Sequence, residues 1–197
     1  SRALKSLPLI KNHIQIEPGV EETLEIFQSF LSQQHQWSCF LDETTVGFLS
    51  NNLTSYKKSF SFLENTLDIF SQPTPVHYDL HSHNIFMKNN KVTALLDLDS
   101  IVLLPPEVAY GFASFKLYRQ SLSLNKENTY KLTFAEFCQL MVPELRPIDM
   151  ISGALVEVMR RTCFILKPIL SGQASPWRSV LDIQLLAIHE INLLSEL

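Results

Sequence analysis

The sequence predicts a mainly α-helical fold that contains one small β-hairpin, which places it in the α+β class. Apolar residues recur at helical spacing in long segments on both sides of the middle of the chain. Between those segments, two short apolar runs flank Asn89 and Asn90, a pattern typical of a tight hairpin because Asn tolerates positive φ. With 197 residues, 46% of them hydrophobic, the chain is long enough to bury a core. No linker is evident, so we expect residues 1–197 to form a single domain.

The helices are predicted in order along the chain. Pro18 and Gly19 precede the first, and its apolar residues Val20, Leu24 and Phe27 fall on one face. A second helix is expected from about residue 54 to residue 70, where Pro73 and Pro75 end it. Pro168 is expected to follow the end of a later helix. The remaining predicted helices cover about 107–121, 133–141, 147–166 and 179–194.

Charge and hydropathy exclude several classes of protein. A formal net charge of −4 argues against a general nucleic-acid binder, which needs a basic surface to displace counterions from phosphate. No apolar run approaches the roughly 18–20 residues needed to span a bilayer. The sequence begins at Ser1, without an initiator Met or an apolar leader, so we expect a piece of a longer, cytoplasmic protein.

Residues 76–84 are too polar for a core element and too rich in functional side chains for a plain loop. Asp79 and Asn84 lie in this segment, and Asp97 follows the second strand of the predicted hairpin. Because a hairpin returns its second strand beside its first, Asp97 should lie near Asn84. Carboxylate and carboxamide oxygens of this kind suit Mg²⁺, and the remaining carboxylate of Asp79 could accept a proton from a hydroxyl. These are the components of a phosphoryl-transfer site.

The same residues carry a family resemblance. His77, Asp79 and Asn84 form an HxDxxxxN pattern, and after a gap of 12 residues (85–96) Asp97 and Asp99 form a DxD pattern. This arrangement resembles the signature of the aminoglycoside phosphotransferase and choline kinase family, whose members are relatives of the protein kinases. The matching stretch covers residues 76–99. The helical segments around it are of the kind found in the helical C-terminal lobe of that family.

The resemblance implies a role for each matched residue. Asp79 would be the catalytic base, and Asn84 and Asp97 would be ligands of Mg²⁺–ATP. Asp99 would be the second acid of the DxD pattern. The implied reaction transfers the γ-phosphoryl group of ATP to the hydroxyl group of a small molecule.

Three further residues take roles from the resemblance. Phe86 and Leu96 would form the apolar floor under the adenine ring, and His77 would brace the loop through hydrogen bonds. The sequence departs from the family at Gly111, where members often carry an Asp in the motif that follows DxD.

A larger departure concerns the N-terminal lobe, which in this family supplies a β-sheet and a phosphate-binding lysine. The 76 residues before His77 are predicted to be helical, without a strand–loop–strand unit or a candidate lysine on a strand. The chain therefore resembles the C-terminal lobe alone. We expect it to be inactive alone, with its missing lobe removed, lost or on another polypeptide, or with a homodimer contact at the exposed site.

Two other functions are consistent with the sequence. The chain could be a non-catalytic lobe, a fragment or pseudoenzyme, that keeps the site residues and acts by association. Alternatively, His77, His81 and His83 could join Asp79 in a zinc site of a metal-dependent hydrolase, since imidazoles and carboxylates are common zinc ligands.

Overall fold

The computed structural model describes residues 14–15, 18–89, 91–124 and 132–195, and it confirms a mainly α fold with a small β content. The chain divides into two compact units. The first combines the segment up to Ile16 with Ile69–Ala154, and the second combines Glu17–Asp68 with Leu155–Leu197. Each unit is described by itself, and the single domain stays a prediction. Among the described residues, no helix has both the length and the apolarity that crossing a bilayer requires.

The second unit is helical. It contains α1 (Val20–Ser32), α2 (Glu43–Glu64), the part of α5 (Pro147–Leu170) that follows Ala154, and α6 (Leu181–Leu194). The hydroxyl of Tyr56 on α2 donates to the carbonyl oxygen of Leu185 on α6 at 3.2 Å, which ties these two helices together. The largest fully buried side chains of this unit are Trp37, Tyr56, Phe27, Phe30, Leu49, Leu63, Leu155, Met159 and Leu166.

Two helix boundaries differ from the sequence prediction. The second helix begins at Glu43, earlier than expected, because the Asp42 side chain accepts a hydrogen bond from the backbone N–H of Thr45 and caps the helix. Pro168 does not follow the helix but lies within the last turn of α5. There it removes only one backbone donor, and the carbonyl of Pro168 itself accepts from the N–H of Gln173 as the chain turns at Gly172, which has a φ of +73°.

The first unit contains a three-stranded sheet that the sequence analysis did not predict. Its strands are β1 (Ile14–Gln15), β2 (Thr74–His77) and β5 (Ile101–Leu104), in the order β1-β5-β2. β1 runs parallel to β5, and β2 runs antiparallel to it. The expectation that the residues before His77 are helical therefore missed β1 and β2. The strands have two to four residues, too few for a periodic pattern. β1 and β2 both depend on pairing with β5, which is distant from them in sequence.

The predicted hairpin is present as β3 (Ile85–Lys88) and β4 (Lys91–Leu95), which pair antiparallel. Asn89 has a φ of 51°, the left-handed conformation expected of Asn in such a turn, whereas Asn90 lies outside the described residues. An irregularity of register between Phe86 and Met87 leaves Thr93 as an extra residue on β4. All of β4 and most of β3 are exposed.

Three helices complete the first unit: α3 (Pro106–Leu124), α4 (Phe134–Met141) and the part of α5 up to Ala154. α3 and α5 approach so closely that a Cβ atom added at Gly111 would lie 1.9 Å from the carbonyl oxygen of Met150. A Cβ added at Gly153 would lie 2.1 Å from the carbonyl oxygen of Glu107. A side chain at position 111, such as the Asp of the family motif, has no space in this contact.

Replacing Gly111 by Ala should destabilise the protein, because the added methyl group collides with backbone that cannot rotate away. We expect a loss of about 3 kcal/mol in the free energy of unfolding, at the upper end of the range for overpacked sites. The matched control is Gly47→Ala in α2, where an added Cβ meets nothing within 4 Å. Chemical denaturation followed by circular dichroism should show the control unchanged or stabilised by up to about 1 kcal/mol. Equal stability of both variants would contradict the close approach of the helices.

Candidate functional site

The candidate site lies where β2 ends and β5 begins. His77, the last residue of β2, is paired with Ile101, the first residue of β5, and the backbone N–H of Tyr78 donates to the carbonyl of Ser100 at 3.0 Å. The chain between these strands forms a loop (78–84), the hairpin, and a turn (96–100). Strand pairing therefore holds the loop and the turn side by side.

The backbone of Leu96 connects the loop to the turn. Its N–H donates to the carbonyl of Asn84 at 2.9 Å, and its carbonyl accepts from Nε2 of His77 at 2.8 Å. We call these two bonds the Leu96 clamp. His77 is buried whereas Leu96 is 42% exposed, so the hydrogen bond between them is partly shielded from water. His77 thus braces the loop, the function that the resemblance implies for it.

Asp97 follows the clamp in a backbone conformation that non-glycine residues rarely adopt. Its φ is 56° and its ψ is 53°, in the left-handed helical region. Ser100 supports this turn twice: its hydroxyl donates to Oδ2 of Asp97 at 2.5 Å, and its N–H donates to the Asp97 carbonyl at 3.0 Å. The residue is exposed to solvent. Such strained backbone persists where surrounding contacts enforce it, and it is concentrated at functional sites.

Asn84 and Asp79 are joined directly. The amide nitrogen Nδ2 of Asn84 donates to the backbone carbonyl of Asp79 at 3.0 Å and lies 3.3 Å from Nε2 of His81. These contacts fix the plane of the carboxamide, so the direction of its oxygen is fixed as well. The structure therefore brings Asp79 and Asn84 together in the loop and places Asp97 one residue beyond the clamp that Asn84 forms.

Sequence reasoning missed Lys116, whose ammonium donates to Oδ1 of Asp79 at 2.8 Å. Lys116 lies on α3 and its ammonium is 5.1 Å from the ring centroid of Phe112, one helical turn earlier. The side chains of Asp79 and Lys116 are 29% and 25% exposed. A lysine that follows the apolar run Gly111–Phe115 is a signal that could have been noticed, but its partner lies 37 residues away in sequence.

The histidine beside this ion pair is electrostatically perturbed. His81 Nε2 lies 3.6 Å from Oδ2 of Asp79, and His81 Nδ1 accepts from the backbone N–H of His83. Burial lowers the pKa of His81 below its usual 6.5, the Lys116 ammonium lowers it further, and Asp79 opposes the shift. His81 is therefore favoured in its neutral form.

The other predicted site residues are exposed to solvent. Asp99 is exposed in the short 3₁₀ turn Leu98–Ser100, and Phe86 and Leu96 are 58% and 42% exposed. The predicted roles of the site residues remain predictions.

The zinc alternative stays a prediction, and the described residues add no support to it. Nε2 of His77 is used by the Leu96 carbonyl, and the described part of the chain gathers no group of three or more His, Cys, Asp or Glu side chains able to hold a metal ion.

The electrostatic coupling within the loop can be measured by NMR titration of His81 in metal-free buffer. The pKa of His81 should lie below 6.5, because burial and Lys116 both disfavour the imidazolium. Lys116→Met should raise this pKa and Asp79→Asn should lower it further, since each substitution removes a charge of opposite sign. Lys91→Met, at the exposed end of the hairpin, is the control and should leave it unchanged. If Lys116→Met and Asp79→Asn shifted the pKa of His81 in the same direction, Lys116 and Asp79 would not act on His81 as described.

Comparison of the chain with models of protein families, with curated proteins and with solved structures returned no match. The resemblance to phosphotransferases therefore stays a prediction that depends on the pattern in residues 76–99.

Proposed function

We propose that the loop 78–84 and the turn 96–100 form the metal-binding and proton-accepting part of a phosphoryl-transfer site. The donor would be ATP and the acceptor a hydroxyl group of a small molecule. The observation that supports this most directly is Asp97. A carboxylate is held on strained backbone by the Leu96 clamp and by Ser100, immediately beside the loop that carries Asn84 and Asp79.

The donor set fits Mg²⁺. This ion prefers hard oxygen ligands and commonly takes one or two protein carboxylates, with water and phosphate oxygens completing its shell. Asp97 supplies a carboxylate, and Asn84 supplies a carboxamide whose nitrogen already contacts the protein, which leaves the oxygen as the group to face a cation. When bound, Mg²⁺ would neutralise charge on the phosphate oxygens.

Asp79 is the group proposed to accept the proton. In the reaction, the substrate oxygen forms a bond to the γ-phosphorus while the bond from that phosphorus to the ADP oxygen breaks and its electron pair leaves with ADP. The proton of the attacking hydroxyl passes to the Asp79 carboxylate. Asn84 holds the backbone of Asp79, so the proton acceptor and one of the proposed metal ligands are kept together in the loop.

A second candidate function is association without catalysis, and the exposed hairpin favours it. Two-stranded hairpins are marginal alone, and a contiguous exposed apolar surface often marks an interface. We define the hairpin patch as the exposed apolar side chains of this region: Phe86, Met87, Val92, Leu95, Leu96 and Leu98. In this function the hairpin patch would be covered by a second copy of the chain or by an N-terminal lobe on another polypeptide.

Metal binding tests the first proposal. The 197-residue chain should bind Mn²⁺, as a probe for Mg²⁺, and Asp97→Asn should weaken this binding at least about tenfold because a carboxylate ligand is lost. Electron paramagnetic resonance of free Mn²⁺ would follow the titration. Asp99→Asn is the matched control, since it removes the same charge two residues away, and it should change the affinity less than about threefold. Asp79→Asn should also have little effect, because Asp79 acts on the hydroxyl.

Equal losses in the Asp97 and Asp99 variants would indicate a general effect of negative charge and would refute the specific site.

Sedimentation velocity tests the second candidate. If the hairpin patch joins two copies, the wild-type chain should sediment as a dimer and Phe86→Ser should sediment as a monomer. Leu140→Ser is the control, because Leu140 is equally exposed but lies on α4, away from the patch. A wild-type monomer at all concentrations would exclude the dimer.

A further inference from the structure

Lys116 is a cation held inside the proposed site by contacts that are easily exchanged. Its helix α3 is fixed against α5 at Gly111 and Gly153, so the position of its backbone is rigid. Its ammonium contacts the Phe112 ring and Oδ1 of Asp79, and it remains partly accessible to solvent. Because the ammonium is partly open to solvent, another anion can reach the lysine and compete with Asp79 for it.

The ion pair with Lys116 also engages Asp79, the residue proposed to act as the base. While the ammonium donates to Oδ1, one of the two carboxylate oxygens of Asp79 is engaged. On the other side of the carboxylate, Nε2 of His81 lies 3.6 Å from Oδ2 of Asp79. Lys116 thus places a positive charge in direct contact with the carboxylate of Asp79.

We propose that Lys116 is a phosphate-binding residue that exchanges partners between Asp79 and the terminal phosphate of a polyphosphate donor. This inference depends on the proposed function and extends it by naming the cation that contacts the anionic substrate. Without donor, the lysine pairs with Asp79. When the donor is bound, its ammonium donates to a phosphate oxygen and releases Oδ1, so the base becomes available when there is a phosphoryl group to transfer.

The chemistry of the two anions supports the exchange. A polyphosphate carries several negative charges close together, whereas Asp79 carries one, so the attraction to the same ammonium is larger. The aliphatic part of a lysine side chain is flexible and its ammonium has three donors, which allows a change of partner without movement of the helix.

Isothermal titration of the 197-residue chain with inorganic tripolyphosphate tests this exchange, at constant ionic strength, with and without Mg²⁺. Lys116→Met should weaken binding at least about tenfold, since it removes the ammonium that contacts phosphate. The matched control, Lys91→Met, removes the same charge from the hairpin and should change affinity less than about twofold. Circular dichroism of each variant would show that the fold is retained.

Asp79→Asn provides the distinguishing measurement. It should strengthen tripolyphosphate binding about two- to fivefold, because the lysine no longer has to leave a carboxylate. If Lys116 were only a structural partner of Asp79, this variant would bind no more tightly than wild type. That result would overturn the inference. Equal effects of Lys116→Met and Lys91→Met on tripolyphosphate affinity would also overturn it. So would the absence of tripolyphosphate binding in both the wild type and Asp79→Asn.

The outcome is separable from the test of the proposed function. If Asp97→Asn loses Mn²⁺ binding but Lys116→Met binds tripolyphosphate as tightly as wild type, the metal site is supported and the exchange is refuted. If Lys116→Met weakens tripolyphosphate binding but Asp97→Asn leaves the Mn²⁺ affinity unchanged, the anion site is supported and the proposed function is refuted.

Discussion

The Leu96 clamp is the contact on which the geometry of the site depends. Two backbone groups of one residue are held by two different segments, the N–H by Asn84 and the carbonyl by His77. Without it, the base of the hairpin would be free to move relative to the loop, and the residues at its two ends would not keep a fixed separation. Because His77 is buried, loss of the Leu96 carbonyl would leave its Nε2–H without an acceptor, which is costly for a buried donor.

The sequence was most informative where local chemistry determines structure. The turn at Asn89 follows from the tolerance of Asn for positive φ, and the position of Asp97 beside Asn84 follows from the antiparallel return of a hairpin. The later helices were predicted from apolar periodicity. Even the early start of α2 has a local signal that was overlooked, the capping side chain of Asp42.

Features that depend on distant residues were not predictable in this way. β2 ends in a histidine and has a proline at its second position, and neither suggests a strand until β5 is present to pair with it. The pairing of Lys116 with Asp79 requires that α3 return across the loop, and nothing in the local sequence of either residue indicates the other. The charge environment of the site, and with it the proposed exchange of partners, therefore comes from tertiary structure.

The conformation of Asp97 has a consequence for which amino acids position 97 can accept. Asn and Gly enter the left-handed region at low cost, yet neither has a negative charge. Glu keeps the charge, but it favours that region less and places its carboxylate one methylene further from the hydroxyl of Ser100. Backbone shape and charge are thus two separate requirements, and of the twenty amino acids Asp alone meets both. Asn at position 97 would keep the left-handed backbone and an acceptor for the Ser100 hydroxyl, whereas Gly would keep the backbone and lose that acceptor, and both would remove the negative charge.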